Sequence, residues 1–304
     1  MNLVDAILRH ARYQPAVAAL IDEDRTITYG ELAGLVLRTA GHLTKLGVRR
    51  GDYVGLCLKD NWHHVVTLLA IARLGGIVVQ VDPRARFAEK AAIETAFPYK
   101  LVLIAQDADV DVNHPTVALD SAWDRAVAQA MPPASLPNDW NDPIVVQATA
   151  GTTGISKFTI ATHLQFYFRL TSYREAMPAI RSHRYLACLP LFYSFGRNVC
   201  LLNLLYGGTL IFHPMIFSAA EFVDAAIRSR ATMAAIVRFS VRQLLAAANS
   251  EQSVLPGLEL LLSAGAPLFA DEKRKIVQKL TPNFYEVYAA SALGPISMFA
   301  ASGH

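Results

Sequence analysis

The sequence predicts an α/β fold of two subdomains, each with a mainly parallel sheet covered by helices. Short, near-continuous apolar runs alternate with helical patterns along most of the chain, as expected of parallel strands buried on both faces. The 304 residues are 53% hydrophobic and 17% charged, a globular composition sufficient for one large or two medium domains. Every apolar stretch is broken well short of the roughly 18 residues of a membrane span. Arg73, for example, interrupts residues 65–81.

Thr28-Tyr29-Gly30-Glu31 is a capping box, and Leu32, Leu35, Val36, Leu43 and Leu46 recur behind it near helical spacing until Gly47 closes the helix. Residues 53–58 read as a strand. Asn61 opens a helix through Leu74, and Gly75-Gly76 leads into a second apolar strand at 77–81, completing a strand, helix, strand unit. A helix at 87–96 and a buried strand at 101–104 follow. Four prolines within residues 130–143 mark a connection, so the predicted division is a first subdomain 1–143 and a second 144–304.

The alternation then resumes with a strand at 144–148, a Gly/Thr loop, a helix from about Leu164 and a strand at 185–189. A helix at 198–205, Gly207-Gly208 and a strand at 209–212 come next. Ser218 and Glu221 form a second capping box for a helix ending at Ser229. The remaining pattern is strand 233–237, helix 241–249, strand 258–263, helix 269–280 and strand 284–288.

Lys and Arg number 28 against 25 Asp and Glu, a net charge of +3 with no dense basic run, which argues against a nucleic-acid partner. The first ten residues lack a basic region followed by an apolar one, so no export is expected. Cys57, Cys188 and Cys200 are odd in number and set in apolar surroundings. They read as reduced core thiols of a cytoplasmic protein, with no disulfide and no metal site.

The loop Thr149-Ala150-Gly151-Thr152-Thr153-Gly154-Ile155-Ser156-Lys157 directly follows an apolar strand. Small residues let backbone N–H groups approach a ligand, hydroxyls add donors and the lysine adds charge, a combination suited to polyphosphate. A plain Gly/Thr turn has the same composition. It is not the P-loop of kinases and GTPases, which needs four residues between its glycines and Lys-Ser or Lys-Thr directly after the second. Here two residues separate Gly151 from Gly154, and Lys157 lies three further on.

In context the loop resembles the phosphate-binding signature of adenylate-forming enzymes, the acyl-CoA synthetase and luciferase-like superfamily, with His163 matching the end of its longer pattern. Leu46-Gly47-Val48, Gly51-Asp52-Tyr53-Val54, residues 70–76 and Asp82-Pro83 are similar to that family's N-terminal region. Leu189-Pro190-Leu191-Phe192-Tyr193-Ser194-Phe195-Gly196 and Ser263-Ala264-Gly265-Ala266-Pro267-Leu268 are similar to two further segments. The resemblance implies an ATP-dependent acid-thiol ligase, which activates a carboxylate as acyl-AMP, releases pyrophosphate and passes the acyl group to coenzyme A or a carrier-protein thiol. Such an enzyme must cradle triphosphate charge and hold the carboxylate in line with the α-phosphorus.

By that resemblance Thr149, Ala150, Gly151, Thr152, Thr153, Gly154 and Lys157 hold the phosphates of ATP, and Gly265, Ala266, Pro267 and Tyr288 lie along the adenine. Ser291 approaches the α-phosphate. Lys157 and Tyr193 are the catalytic candidates. Tyr193, Arg197, Arg238 and Ala264 are the candidates for the acyl pocket, the two arginines offering partners for an acidic group on the substrate. His163, His183 and His213 show no nucleophile partner in the sequence and read as structural.

Three features depart from the family pattern. Ser156 and Phe158 stand where proline and glycine flank the lysine. Ala292 stands where a glutamate helps to hold Mg2+, and a methyl group ligates no cation. The chain also lacks the β-barrel subdomain and C-terminal lid. The expectation is the N-terminal portion of an acyl-CoA synthetase, inactive by itself, and the alternative is a non-catalytic nucleotide- or acyl-binding homologue or interaction module.

Overall fold

The computed structural model describes residues 2–59, 61–106, 108, 114–149, 157–177, 182–215, 217–248, 253–290 and 293–301. Helices Leu3–Leu8 (α1) and His10–Tyr13 (α2) precede strands Ala18–Asp22 (β1) and Arg25–Thr28 (β2). Helix Tyr29–Lys45 (α3) then begins at the expected capping box, in which Thr28 accepts from the Glu31 amide and Glu31 accepts from the Thr28 amide. Gly47 follows it at φ 88°, the left-handed conformation that glycine adopts without a Cβ penalty.

Strand Tyr53–Cys57 (β3), helix Trp62–Arg73 (α4) and strand Ile77–Gln80 (β4) form the expected parallel unit, with Asn61 capping α4 through the His64 amide. Helix Phe87–Ala96 (α5), strand Tyr99–Ala105 (β5), strand Thr116–Leu119 (β6) and helix Ser121–Ala128 (α6) come next. Strands Pro143–Thr149 (β7) and Lys157–Thr162 (β8) then form an antiparallel pair, followed by helix His163–Ala176 (α7). Strand Arg184–Ala187 (β9), helix Ser194–Leu205 (α8), strand Thr209–Phe212 (β10), helix Ala219–Arg228 (α9), strand Met233–Val237 (β11) and helix Arg238–Ala247 (α10) continue the alternation. The chain closes with strand Leu260–Ala264 (β12), helix Ala270–Lys279 (α11) and strands Phe284–Ala290 (β13) and Gly294–Ala300 (β14).

Two compact units result. One, of Met1–Val17 and Ile27–Tyr167, holds a six-stranded sheet in the order β6-β5-β3-β4-β7-β8. The other, of Ala18–Thr26 and Phe168–His304, holds most of an eight-stranded sheet in the order β14-β13-β12-β11-β9-β10-β1-β2. All pairings in the interior of both sheets are parallel, as expected from strands buried on both faces. These unit bounds differ from a division at residue 143. β7 pairs with β4, Val78 opposite Val145, which draws residues 143–149 and, through β8, 157–162 into the first sheet, and β1 pairs with β10, Leu20 opposite Leu210, which carries an early strand into the second.

The first unit has a core of Cys57, Ile77, Val79, Val81, Phe97, Tyr99, Val102 and Val146. The second packs Leu186, Phe222, Ile236, Leu261 and Phe284 with their neighbours against α9, α10 and α11. All three cysteines are buried and in the thiol form. Among the described residues no helix is long and apolar enough to cross a membrane.

Candidate functional site

Three neighbouring strands of the second unit run parallel and in register. Val237 of β11 lies opposite Ala264 of β12, which lies opposite Val287 of β13. β11 and β12 end there, so Arg238 and Gly265 leave the sheet side by side at its carboxyl edge, where open α/β sheets place their ligands, while β13 continues past them with Tyr288 opposite Ser297 of β14. β9 runs parallel to β11, so the segment that leads to Tyr193 departs from the same edge.

Gly265, Ala266 and Pro267 line a cleft of about 510 Å³ with Tyr288, Ser297 and Phe299. Gly265 has φ 95°, and none of the described residues lies within 4 Å of where a Cβ would project. Tyr288 is 67% exposed, which leaves its ring face open to a ligand. The turn is held from below by Glu286 of β13. Its Oε1 accepts the Leu268 N–H at 2.6 Å, and its Oε2 meets Lys273 Nζ at 2.5 Å. Lys273 also sits 4.3 Å from the centre of the Phe299 ring. Glu286 and Lys273 escaped the sequence reading. The available signal was a lone carboxylate inside the apolar strand at 284–288.

Tyr193 is the N-cap residue of α8, 54% exposed, with its ring 4.5 Å from that of Phe192. The approach to α8 folds back tightly. A Cβ on Gly196 would lie 2.4 Å from the Pro190 carbonyl oxygen and 2.9 Å from that of Leu189. One turn into the helix, Arg197 is 2% exposed, and its Nη1 donates to the Leu191 and Phe192 carbonyls at 3.3 Å each. Burial first, and then the charge of Arg169, lower its pKa to about 9. Ala264 is buried in β12. Arg238 is engaged within the chain: Nη2 lies 3.4 Å from Glu272 Oε2, and the guanidinium sits 4.8 Å from the centre of the Phe269 ring.

In the first unit β7 and β8 are antiparallel, with Thr149 opposite Lys157, so the two ends of the glycine-threonine loop lie side by side at the sheet edge. Ala150, Gly151, Thr152, Thr153 and Gly154, together with Ser291 and Ala292, lie outside the described residues. Phe158, read in the sequence as a departure beside the loop, is a packing residue. It joins the core of the first unit, its ring 5.2 Å from that of Phe97 and perpendicular to it. That contact anchors the strand leaving the loop at a position one residue past the lysine.

His163 is fully buried at the start of α7, its amide bonded to the Asp142 carbonyl at 3.0 Å, and neither ring nitrogen makes a hydrogen bond of ordinary geometry among the described residues. Burial lowers its pKa to about 4, which keeps the ring neutral at pH 7 and suits the structural reading. The folded chain then binds fewer protons here than the unfolded chain between the usual histidine pKa and about 4. Stability should fall as the pH drops through that window, by up to roughly 3 kcal/mol from this group. His42 and His213 are also shifted down by burial and add to the same acid loss. Urea unfolding at about pH 7 and about pH 4.5 should show His163→Gln losing less stability on acidification than wild type. Equal losses would remove His163 from the account.

Comparison with known proteins matches residues 7–303 to the family described as AMP-binding enzyme. A methyl-dioxo-octahydro-indenyl propanoyl:CoA ligase of Mycobacterium tuberculosis is 30% identical over 254 residues, 75% of this chain and 50% of that protein. A feruloyl-CoA synthase of Amycolatopsis is 27% identical over 274 residues, 87% of this chain and 54% of that protein. This chain thus spans about half the length of these relatives. Among solved structures, O-succinylbenzoate coenzyme A synthetase from Bacillus subtilis, in complex with ATP and magnesium ion, superposes with TM-score 0.86 at 22% identity, covering 98% of this chain and 62% of that one. That likeness shows the same fold, a mostly parallel α/β architecture. With the family matched across nearly the whole sequence, the chain belongs to the AMP-binding enzymes.

Proposed function

We propose that this chain is the nucleotide- and acid-binding portion of an ATP-dependent carboxylic acid:CoA ligase, which activates a carboxylate as acyl-AMP and transfers the acyl group to a thiol. The observation that carries the reading is the cleft in which Gly265, Ala266 and Pro267 face Tyr288 at the carboxyl edge of the sheet. An open glycine backbone beside an exposed aromatic ring fits a flat nucleobase. Tyr193, at the same edge, borders the acid. Thr149, the loop 150–154 and Lys157 hold the phosphates, and Ser291 stands near the α-phosphate. ATP with Mg2+ is the proposed nucleotide and coenzyme A the proposed acceptor. The whole reaction is proposed for the parent protein, with little or no turnover by the 304 residues alone.

Calorimetric titration of the chain with ATP and Mg2+ tests this reading. Binding is expected, and Lys157→Ala is expected to weaken it about tenfold by removing a charge-assisted phosphate contact. No binding by the wild-type chain would sink the nucleotide reading for this chain. Acid-dependent exchange of labelled pyrophosphate into ATP tests the chemistry itself. Ala292, at the position of the magnesium-holding glutamate by family resemblance, favours a second reading as a non-catalytic nucleotide-binding homologue. That reading predicts ATP binding with no exchange for any acid.

A further inference from the structure

The cations of this fold that lie near carboxylates are paired with them. Arg50 meets Asp142, Arg73 meets Asp5, Arg238 meets Glu272 and Lys273 meets Glu286. Arg197 is more deeply buried than any of these and has no such partner among the described residues. The charged group that acts on it is another arginine, Arg169. Burying a cation beside a second cation costs stability, and such an arrangement persists where an anion from outside completes it.

The unused part of the guanidinium has a defined shape. Both bonds to the Leu191 and Phe192 carbonyls come from Nη1 and are long, at 3.3 Å. Among the described residues Nε is buried with no hydrogen-bond partner, and Nη2 donates to none of them. The edge formed by Nε and Nη2 presents two parallel N–H groups, the geometry that takes both oxygens of one carboxylate. The surroundings favour an anion. Arg197 lies in the first turn of the twelve-residue helix α8, at the positive end of its dipole, with its amide 3.1 Å from the carbonyl of the exposed Tyr193. The side chain of Arg169 packs against Gly294, where a Cβ would come within 2.6 Å of its Cγ, so a second guanidinium stem is held in the same unit.

We propose that Arg197 receives a carboxylate of the ligand, so that the acid taken at this site carries a second carboxylate besides the one to be activated. This inference rests on the acid-binding reading above and narrows it to dicarboxylic acids. Arg238 is not the receptor, because Glu272 and the Phe269 ring already engage it.

The test compares dicarboxylic acids from succinic to sebacic with monocarboxylic acids of the same carbon number, titrated calorimetrically into the 304-residue chain in the presence of ATP and Mg2+. At least one dicarboxylic acid is expected to bind about tenfold or more tighter than its monocarboxylic partner. Arg197→Met should abolish that preference, and Arg197→Lys should retain part of it. A second readout separates this role from a clamp on the Leu191–Phe192 turn. Without ligand, Arg197→Met should melt no lower than wild type, because it relieves a buried unpaired charge. Equal binding of both acid classes by wild type overturns the inference and leaves acid binding intact. Binding of neither class overturns it together with the reading on which it rests. A lowered melting point in Arg197→Met with an unchanged preference makes Arg197 a structural clamp and also overturns it.

Discussion

Asn203→Leu is expected to destabilise the chain by about 3–4 kcal/mol. Asn203 is 2% exposed in α8, and its side-chain amide bonds to main chain. Its Oδ1 accepts the His183 N–H at 3.2 Å, and its Nδ2 donates to the His183 and Thr209 carbonyls at 3.2 and 3.1 Å. One amide thus ties the segments entering β9 and β10. Gly208 packs so closely on that amide that a Cβ there would lie 2.3 Å from Oδ1. Leucine keeps the branched shape of the side chain, so most of the loss comes from stranding the buried His183 N–H and from two missing bonds. The thermal midpoint should fall by roughly 10 °C. A loss below about 1 kcal/mol would mean that these main-chain groups find other partners. Because β9 and α8 flank the segment from Pro190 to Arg197, the same substitution should also weaken acid binding.

Gly265→Leu carries the largest expected effect on ligand binding. The φ of 95° makes any side chain there strained, at a cost of about 1–2 kcal/mol. The space beyond is open, so the leucine projects into the cleft shared with Pro267 and Tyr288 rather than into the core. Affinity for ATP should fall roughly 100-fold, about 2.7 kcal/mol, while the fold persists. Gly265→Ala is the control. It bears the same backbone strain with only a methyl group, and should lose stability comparably while retaining most of the affinity. Unchanged ATP binding in Gly265→Leu would remove this cleft from the nucleotide reading. Parallel losses of affinity in both variants would assign the effect to distortion of the turn.

Glu286 connects the two sides of that cleft. Its carboxylate reaches the Leu268 amide and Lys273, so the turn after β12 and the helix α11 are both referenced to β13. The nucleobase site proposed here is therefore assembled from separate strand ends held in register by an ion pair and a main-chain bond. Arg197 is organised differently, with its cationic edge carried by a single helix turn. Binding at the two positions can be perturbed independently, which is what allows the nucleotide and acid titrations to be read apart.

The sequence by itself determined the features that depend on neighbours three or four residues away. The capping boxes at Thr28 with Glu31 and at Ser218 with Glu221 both form, Asn61 caps α4, and Gly47, Gly75 and Gly207 take the positive φ that ends a helix. These are contacts within one turn, so local residue order contains them. The near-continuous apolar runs likewise announced parallel strands, since burial on both faces removes the polar alternation. The motif segments were legible as well, and the structure brings the ends of β11 and β12 level at one edge beside β13.

Pairing between distant segments was decided only in the tertiary structure. Strands β1, β2, β6, β8 and β14 escape the pattern because they are short, polar on one side or interrupted by Gly and Pro, and their stability comes from the sheet they join. The same long-range choice assigned residues 143–149 and 157–162 to the first sheet and turned Phe158 inward against Phe97. It also separated two arginines that look equivalent in sequence. Arg238 met a carboxylate on α11, 34 residues away, whereas Arg197 was buried with no carboxylate beside it among the described residues. Which charge is neutralised within the chain depends on what folding brings across from elsewhere, and that information lies in the packing of the whole unit.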